Sequence, residues 1–322
     1  MDREKLNMPS TGFPTFCRLP ICTDLRQLDA DIAFLGVPYD GGGNYKPGMR
    51  FGPRKIREMS MRHAYRYGSR TGFYDFETDQ QFLVDEVKNN RLFDCGDVDI
   101  VYTKIEDTFD NVTSNVKSIL DRGSFPVVFG GDHSITYPVI RAYEKGPIDI
   151  VVIDAHLDFT DVVAGVTLGG GNPFRRATEL PTVGKIVHIG IRGLRNSPKV
   201  RAEALENGNA IITTKDIRKK GVLDCLQAVL PLKNVYFSID VDGLDPSIAP
   251  GCSGSDPGGL NYEEAIEIIE FITSNANVVG YDITEVNPMI DPSDVTSGLA
   301  AALTLQFLRC ASRSRHWSAR RI

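Results

Sequence analysis

The sequence predicts an α/β protein: one domain over residues 1–322, built as three α/β/α layers around a mainly parallel sheet. Three observations carry this. Short runs are apolar and β-branched from end to end, amphipathic stretches of helical period alternate with them, and no Ser/Gly-rich run, charge block or repeat divides the chain. Strands apolar on both sides need cover on both faces, and helical crossovers between parallel strands supply it.

In chain order, residues 31–37 (DIAFLGV), 125–130 (FPVVFG), 148–154 (IDIVVID), 185–191 (KIVHIGI), 210–213, 234–240 (NVYFSID) and 277–283 (NVVGYDI) read as buried strands. Helices are expected over 53–63, 105–121, 135–144, 200–207, 223–229, 262–274 and 293–309. Pro53 suits a first turn, and the spacing of Ala265, Ile268 and Ile269 puts them on one face. An N-terminal arm (about 1–28) and an Arg-rich tail (about 309–322) flank the domain. With 42% hydrophobic residues there is material for a sizeable core. A net charge of −6 argues against nucleic acid as the main partner and agrees with a small cationic substrate. Six cysteines without a C-x-x-C pair, no apolar leader and no membrane-length apolar run make a cytoplasmic protein with reduced thiols the expectation.

Three strand ends carry unusual polar residues. His133 follows FPVVFGGD, Asp154, His156 and Asp158 follow IDIVVI, and Asp240 and Asp242 follow NVYFSI. In extended chain, residues i, i+2 and i+4 point to one side, so each group can converge on a point beyond the sheet's carboxyl edge, where doubly wound sheets bind ligands. A single Asp at a strand end usually caps a turn, and a single His usually belongs to the core; the combination is far more specific. Four carboxylates together repel unless cations neutralise them. Two divalent ions would do so, with a shared water made nucleophilic between them. The oxygen-rich set without thiolate suits Mn²⁺, with Ni²⁺ or Co²⁺ as the other choices.

The segments Gly36–Arg54 (GVPYDGGGNYKPGMRFGPR), Gly130–Ser134 (GGDHS), Asp154–Asp158 (DAHLD), Ser238–Pro246 (SIDVDGLDP) and Glu285–Pro288 (EVNP) resemble, in order, the signatures of the ureohydrolases, the arginase–agmatinase family. The likeness is closest to the agmatinase and guanidino-acid hydrolase branch, through PTFCRLP, HIGIRG and NPFRRA. It implies one ion held by His133, Asp154, Asp158 and Asp240 and a second held by Asp154, His156, Asp240 and Asp242. It implies a metal-bridging hydroxide that attacks the guanidinium carbon, proton relay to the leaving amine by Asp158, and a bidentate contact from Glu285 to the guanidinium. Trimers or hexamers, homo- or hetero-oligomeric, are implied as well. Asp132 is expected either to support a ligand or simply to shape a turn.

Two departures from the family pattern bear on substrate. Gly170, in Gly170-Gly171-Asn172-Pro173-Phe174, stands where relatives carry a histidine; Gly170 and Asn172 are taken as candidate substrate contacts. Cys252-Ser253-Gly254-Ser255-Asp256 replaces a more usual Thr-Gly-Thr-Pro-Glu. The expectation is a pocket remade for a guanidine other than arginine, either an N-substituted guanidine or biguanide such as metformin, with nickel, or else agmatine or a linear guanidino acid. The rival from another class is a catalytically silent partner subunit. A one-zinc deacetylase of similar fold would not need all six donors, and no cationic clamp for a phosphatase is evident. The glycine runs at 41–43 and 169–171 lack phosphate-loop signatures. The aromatic stretch 63–76 reads as a packed loop.

Overall fold

A computed structural model describes residues 8–43, 45–64 and 71–314. Its centre is an eight-stranded sheet in which every pairing is parallel. The strands are β1 (Ile32–Val37), β4 (Leu92–Asp97), β5 (Phe125–Gly130), β6 (Ile148–Ile153), β7 (Val183–Ile191), β8 (Ala210–Thr213), β9 (Asn234–Asp240) and β10 (Asn277–Thr284). Strands β2 (Phe73–Asp75) and β3 (Gln80–Phe82) form a separate antiparallel hairpin. The order is β4-β1-β5-β10-β9-β6-β7-β8. The chain thus leaves a gap after β5, builds outward through β6, β7 and β8, and returns to fill the gap with β9 and β10. That reversal makes the carboxyl ends of β5, β10, β9 and β6 four adjacent stations around one crevice.

Alternation along the strands sorts side chains into two cores. Phe34, Val127, Val151 and Phe237 face one helical layer, and Leu35, Val128, Val152 and Tyr236 face the other. Helix Ile105–Asp121 buries Phe109, Val112, Val116 and Ile119, three or four residues apart, on the second face. Helix Tyr262–Asn275 starts from an Asn261/Glu264 capping box and buries Ala265, Ile268, Ile269 and Ile272 on the first. Helix Val295–Ser312 lies between that helix and helix Gly52–Ser60, and is correspondingly apolar on most sides.

Several boundaries differ from the sequence reading. Within the expected N-terminal arm Phe16 is fully buried, stacked 4.6 Å from Phe34 and tilted against Phe129 at 5.0 Å. The last helix continues through Arg309 to Ser312, because the Arg309 guanidinium is buried against Glu270 (2.8 Å) and Asp75 (3.3 Å). Residues 315–322 of the expected tail, and 65–70 of the aromatic stretch, lie outside the described residues. Strand β4 escaped notice because Asp94, Gly96 and Asp97 interrupt its apolar run. Among the described residues no helix is long and apolar enough to cross a membrane, and all six cysteines are free.

Candidate metal centre

The four adjacent strand ends deliver the site. His133 opens the turn after β5, Asp154, His156 and Asp158 follow β6, Asp240 ends β9 with Asp242 in the turn beyond, and Glu285 follows β10. Asp158 and Glu285 have left-handed backbones (φ 44° and 63°), a conformation that costs L-residues energy and here turns both carboxylates toward the crevice. The Glu285 N–H donates to the Gly131 carbonyl (2.8 Å), and its side chain accepts from the His133 N–H (2.9 Å).

His133 Nδ1 lies 3.2 Å from Asp154, 3.1 Å from Asp158 and 3.2 Å from Asp240. Its Nε2 meets Ser238 Oγ at 3.1 Å, and that hydroxyl donates to Asp282 (2.5 Å). Asp282 is buried and also accepts from Tyr236 (2.7 Å) and Thr136 (2.8 Å). With its own proton committed to Asp282, Ser238 must accept from Nε2–H. This fixes the proton on Nε2 and makes Nδ1 the atom that takes either a cation or a second proton on the carboxylate side. Ser238 and Asp282 were not singled out in the sequence, although a polar residue inside an apolar strand was the available signal.

His156 Nδ1 sits 2.9 Å from Asp242 and 3.6 Å from Asp154, while its Nε2 sits 3.1 Å from Asp256. Asp256 was noted only as a departure in sequence, and it supports this imidazole from behind. Arg195 lies 3.3 Å from Asp256 and was missed. Backbone N–H groups fix the acids: Ala155 donates to Asp242 (3.0 Å), His156 to Asp154 (2.5 Å) and Asp242 to Asp240 (2.7 Å).

The electrostatics are those of a cluster short of cations. Burial raises Asp154 well above the usual carboxylate range, and Asp158 and Asp242 add to the shift. Burial, then Asp242, lifts Asp240 to about 7. Burial alone would lower both histidines, but the carboxylates outweigh it, raising His133 well above its usual value and His156 to about 10. Burial also raises Glu285, with Asp240 next in effect. Asp154 Oδ2 is buried without a well-formed hydrogen bond.

This donor set fits divalent cations. Ligand atoms of His133, Asp154, Asp158 and Asp240 lie within 4.8 Å of one another, as do those of Asp154, His156 and Asp242, so Asp154 is common to both groups. Asp240 meets Asp242 in a third group, with Cys252. All six sequence-expected donors therefore come together.

The remaining candidates fare differently. Gly170 lines a cleft of about 240 Å³ together with Gly42, Asp158, Arg195, Asp240 and Glu285. Asn172 does not: fully buried, its amide donates to the Thr160 carbonyl (2.6 Å) and accepts from the Gly169 N–H (2.8 Å), so it braces its own loop. Asp132 accepts from the N–H groups of Gly42 (2.6 Å) and Ser134 (3.0 Å), capping the turn after β5 and pinning the glycine loop that walls the cleft. Burial raises its pKa to about 6.

The family model described as "Arginase family" matches residues 30–310. The chain belongs to the arginase family. It is 35% identical to a mitochondrial agmatinase of Gallus gallus, over 92% of this chain and 85% of that protein. It is 36% identical to a mitochondrial guanidino acid hydrolase of Homo sapiens, over 93% and 83%. The structure of proclavaminate amidinohydrolase from Streptomyces clavuligerus superposes with a TM-score of 0.84 at 29% identity, covering 96% of this chain and all of that one. The arginase-family chain is accordingly a hydrolase acting on amidino C–N bonds, in a family that depends on a pair of metal ions.

Proposed function

We propose that the protein hydrolyses a guanidino acid, releasing an amine and urea. The observation that carries the choice is Arg195, the only arginine or lysine among the described residues lining a cleft that the acids Asp158, Asp240 and Glu285 also line. A substrate cationic at one end and anionic at the other matches that polarity; the terminal ammonium of agmatine would face a like charge. The relatives' names point to agmatine or guanidino acids and give no support to a biguanide such as metformin.

Asp154 and Asp240 would each serve both ions, completed by His133 and Asp158 on one side and by His156 and Asp242 on the other. Mn²⁺ matches the oxygen-rich donors, with Ni²⁺ as the alternative. The ions would neutralise the cluster and lower the pKa of a water between them. Glu285, held by the His133 N–H (2.9 Å), orients the guanidinium by charge-assisted hydrogen bonds. Asp158 lines the cleft and lies 3.1 Å from His133 Nδ1. It carries a proton to the departing nitrogen, since an amine leaves the tetrahedral carbon only when protonated. His133, its tautomer set by Ser238, would present Nδ1 to the ion it shares with Asp154, Asp158 and Asp240.

A second reading has one observation in its favour. Gly170 leaves room beside the cleft, which an N-alkyl substituent on the guanidine could use. A panel of 4-guanidinobutyrate, agmatine, arginine, N,N-dimethylguanidine and metformin, read by urea or amine release from metal-loaded protein, decides. Fastest turnover of the guanidino acid is expected. Fastest turnover of agmatine or arginine overturns the role of Arg195, and no turnover of any compound with two ions bound returns the protein to a silent partner subunit.

A further inference from the structure

We propose that the Cys252 thiol is a further ligand of this centre, giving sulfur to the ion that Asp240 and Asp242 share. The inference rests on the metal reading above and adds a donor of a different chemical kind. Of the six cysteines, Cys252 alone joins a ligand group among the described residues. Its Sγ and one oxygen from each of Asp240 and Asp242 lie within 4.8 Å of one another. A thiolate binds an ion such as zinc at about 2.3 Å and a carboxylate at about 2.0–2.2 Å, so donors facing each other across one ion stand up to roughly 4.5 Å apart. Separations under that ceiling are of the size one ion can span.

The position is built rather than incidental. Cys252 forms an antiparallel bridge with Val286, the neighbour of Glu285. The preceding Gly251 is clamped by two bonds, its N–H to Thr296 Oγ1 (2.7 Å) and its carbonyl to the Asn287 N–H (2.7 Å). The side chain is buried. A second observation points to cations in the same centre: Asp154 Oδ2 is buried without a well-formed hydrogen bond, its neighbour being His133 Nδ1 at 3.2 Å. On coordination the S–H proton leaves to solvent and a metal–sulfur bond forms, with no change of oxidation state. A sulfur donor shifts a carboxylate and imidazole site away from manganese and toward cobalt, nickel or zinc.

The test loads the full-length protein with cobalt to two ions per chain, counted by elemental analysis, and records its ultraviolet spectrum. A sulfur-to-cobalt charge-transfer band is expected, lost in Cys252→Ser and in Cys252→Thr. Whichever of these folds also retains cobalt over manganese at least about tenfold less well in competition dialysis. No band from protein holding two cobalt ions overturns the thiol ligand and leaves the metal centre standing, as does a band that survives both substitutions. Failure to take up cobalt at all overturns both.

Discussion

Two acidic clusters sit near the carboxyl edge of the same sheet, and they are finished in opposite ways. At β4, Asp94 and Asp97 share one buried arginine. Arg57 Nε lies 2.9 Å from Asp94, its Nη1 lies 2.6 Å from Asp97, and its Nη2 donates to the Gly96 carbonyl at 2.7 Å. Asp94 also accepts the N–H groups of Phe16 (2.8 Å) and Gly96 (3.0 Å). Burial alone would lower the Arg57 pKa, yet Asp94 and Asp97 outweigh it and raise it. Across the sheet, at β9 and β6, Asp154, Asp158, Asp240 and Asp242 are met by two imidazoles, and among the described residues no arginine or lysine forms an ion pair with any of the four. The chain completes one cluster with its own cation and builds the other to take cations from solution. A buried ion pair is a fixed part of the fold; a buried set of like charges is a binding site waiting for its ligand.

The largest expected effect separates the clusters by function. Asp154→Asn removes the carboxylate common to both donor groups, so metal content should fall from two ions per chain to one or none and turnover should drop below detection. The metal-free variant should be at least as resistant to urea as metal-free wild type, because one of the repelling acids is gone. A metal-free variant markedly less stable than its wild-type counterpart would make Asp154 a structural acid like Asp94. The converse change, Arg57→Ala, strands Asp94 in the core and should cost about 3–5 kcal/mol in urea unfolding. Metal bound per folded chain should not change. If it does, the two clusters are one system and the contrast fails.

Metal removal sharpens the contrast at a smaller scale. Chelation should lower thermal stability, since an ion present at a hundred times its dissociation constant contributes about 2.7 kcal/mol per site. In Asp154→Asn the loss on chelation should be smaller or absent, and in Arg57→Ala undiminished. Calorimetry of the three proteins with and without chelator measures this; equal loss in all three would place the stabilising ions somewhere else.

How much of the site was legible in the sequence follows from the same contrast. The six donors could be read because a carboxylate or imidazole just past an all-apolar strand has no core role, and strand periodicity says which of them face together; Glu285 was legible only through the resemblance of EVNP to a family signature. Strand β4 could not be read, since its acids look like a loop until Arg57, 37 residues away, is seen to neutralise Asp94. Asp256 and Arg195 meet His156 across 100 and 39 residues, distances over which local pattern carries no information. Asn172 was misread for a related reason: adjacency to a cleft residue does not say which way a side chain turns, and its amide turns inward to Thr160.

Gly170 offers the smallest effect and tests whether the cleft was opened by loss of a side chain alone. A Cβ at this position would meet the Gly42 carbonyl oxygen at 3.4 Å, ordinary contact, and its φ is not in the left-handed region. The Gly170 N–H donates to that same carbonyl (3.0 Å), a bond any residue but proline can keep. Gly170→His should therefore change stability by no more than about 0.5 kcal/mol in urea melts. Its consequence should appear in selectivity, as an imidazole filling the free space lowers kcat/KM for N,N-dimethylguanidine more than for 4-guanidinobutyrate. A large loss of stability would mean that the glycine is required by the loop; equal losses for both substrates would mean that the space beside Gly170 is not where a substituent sits.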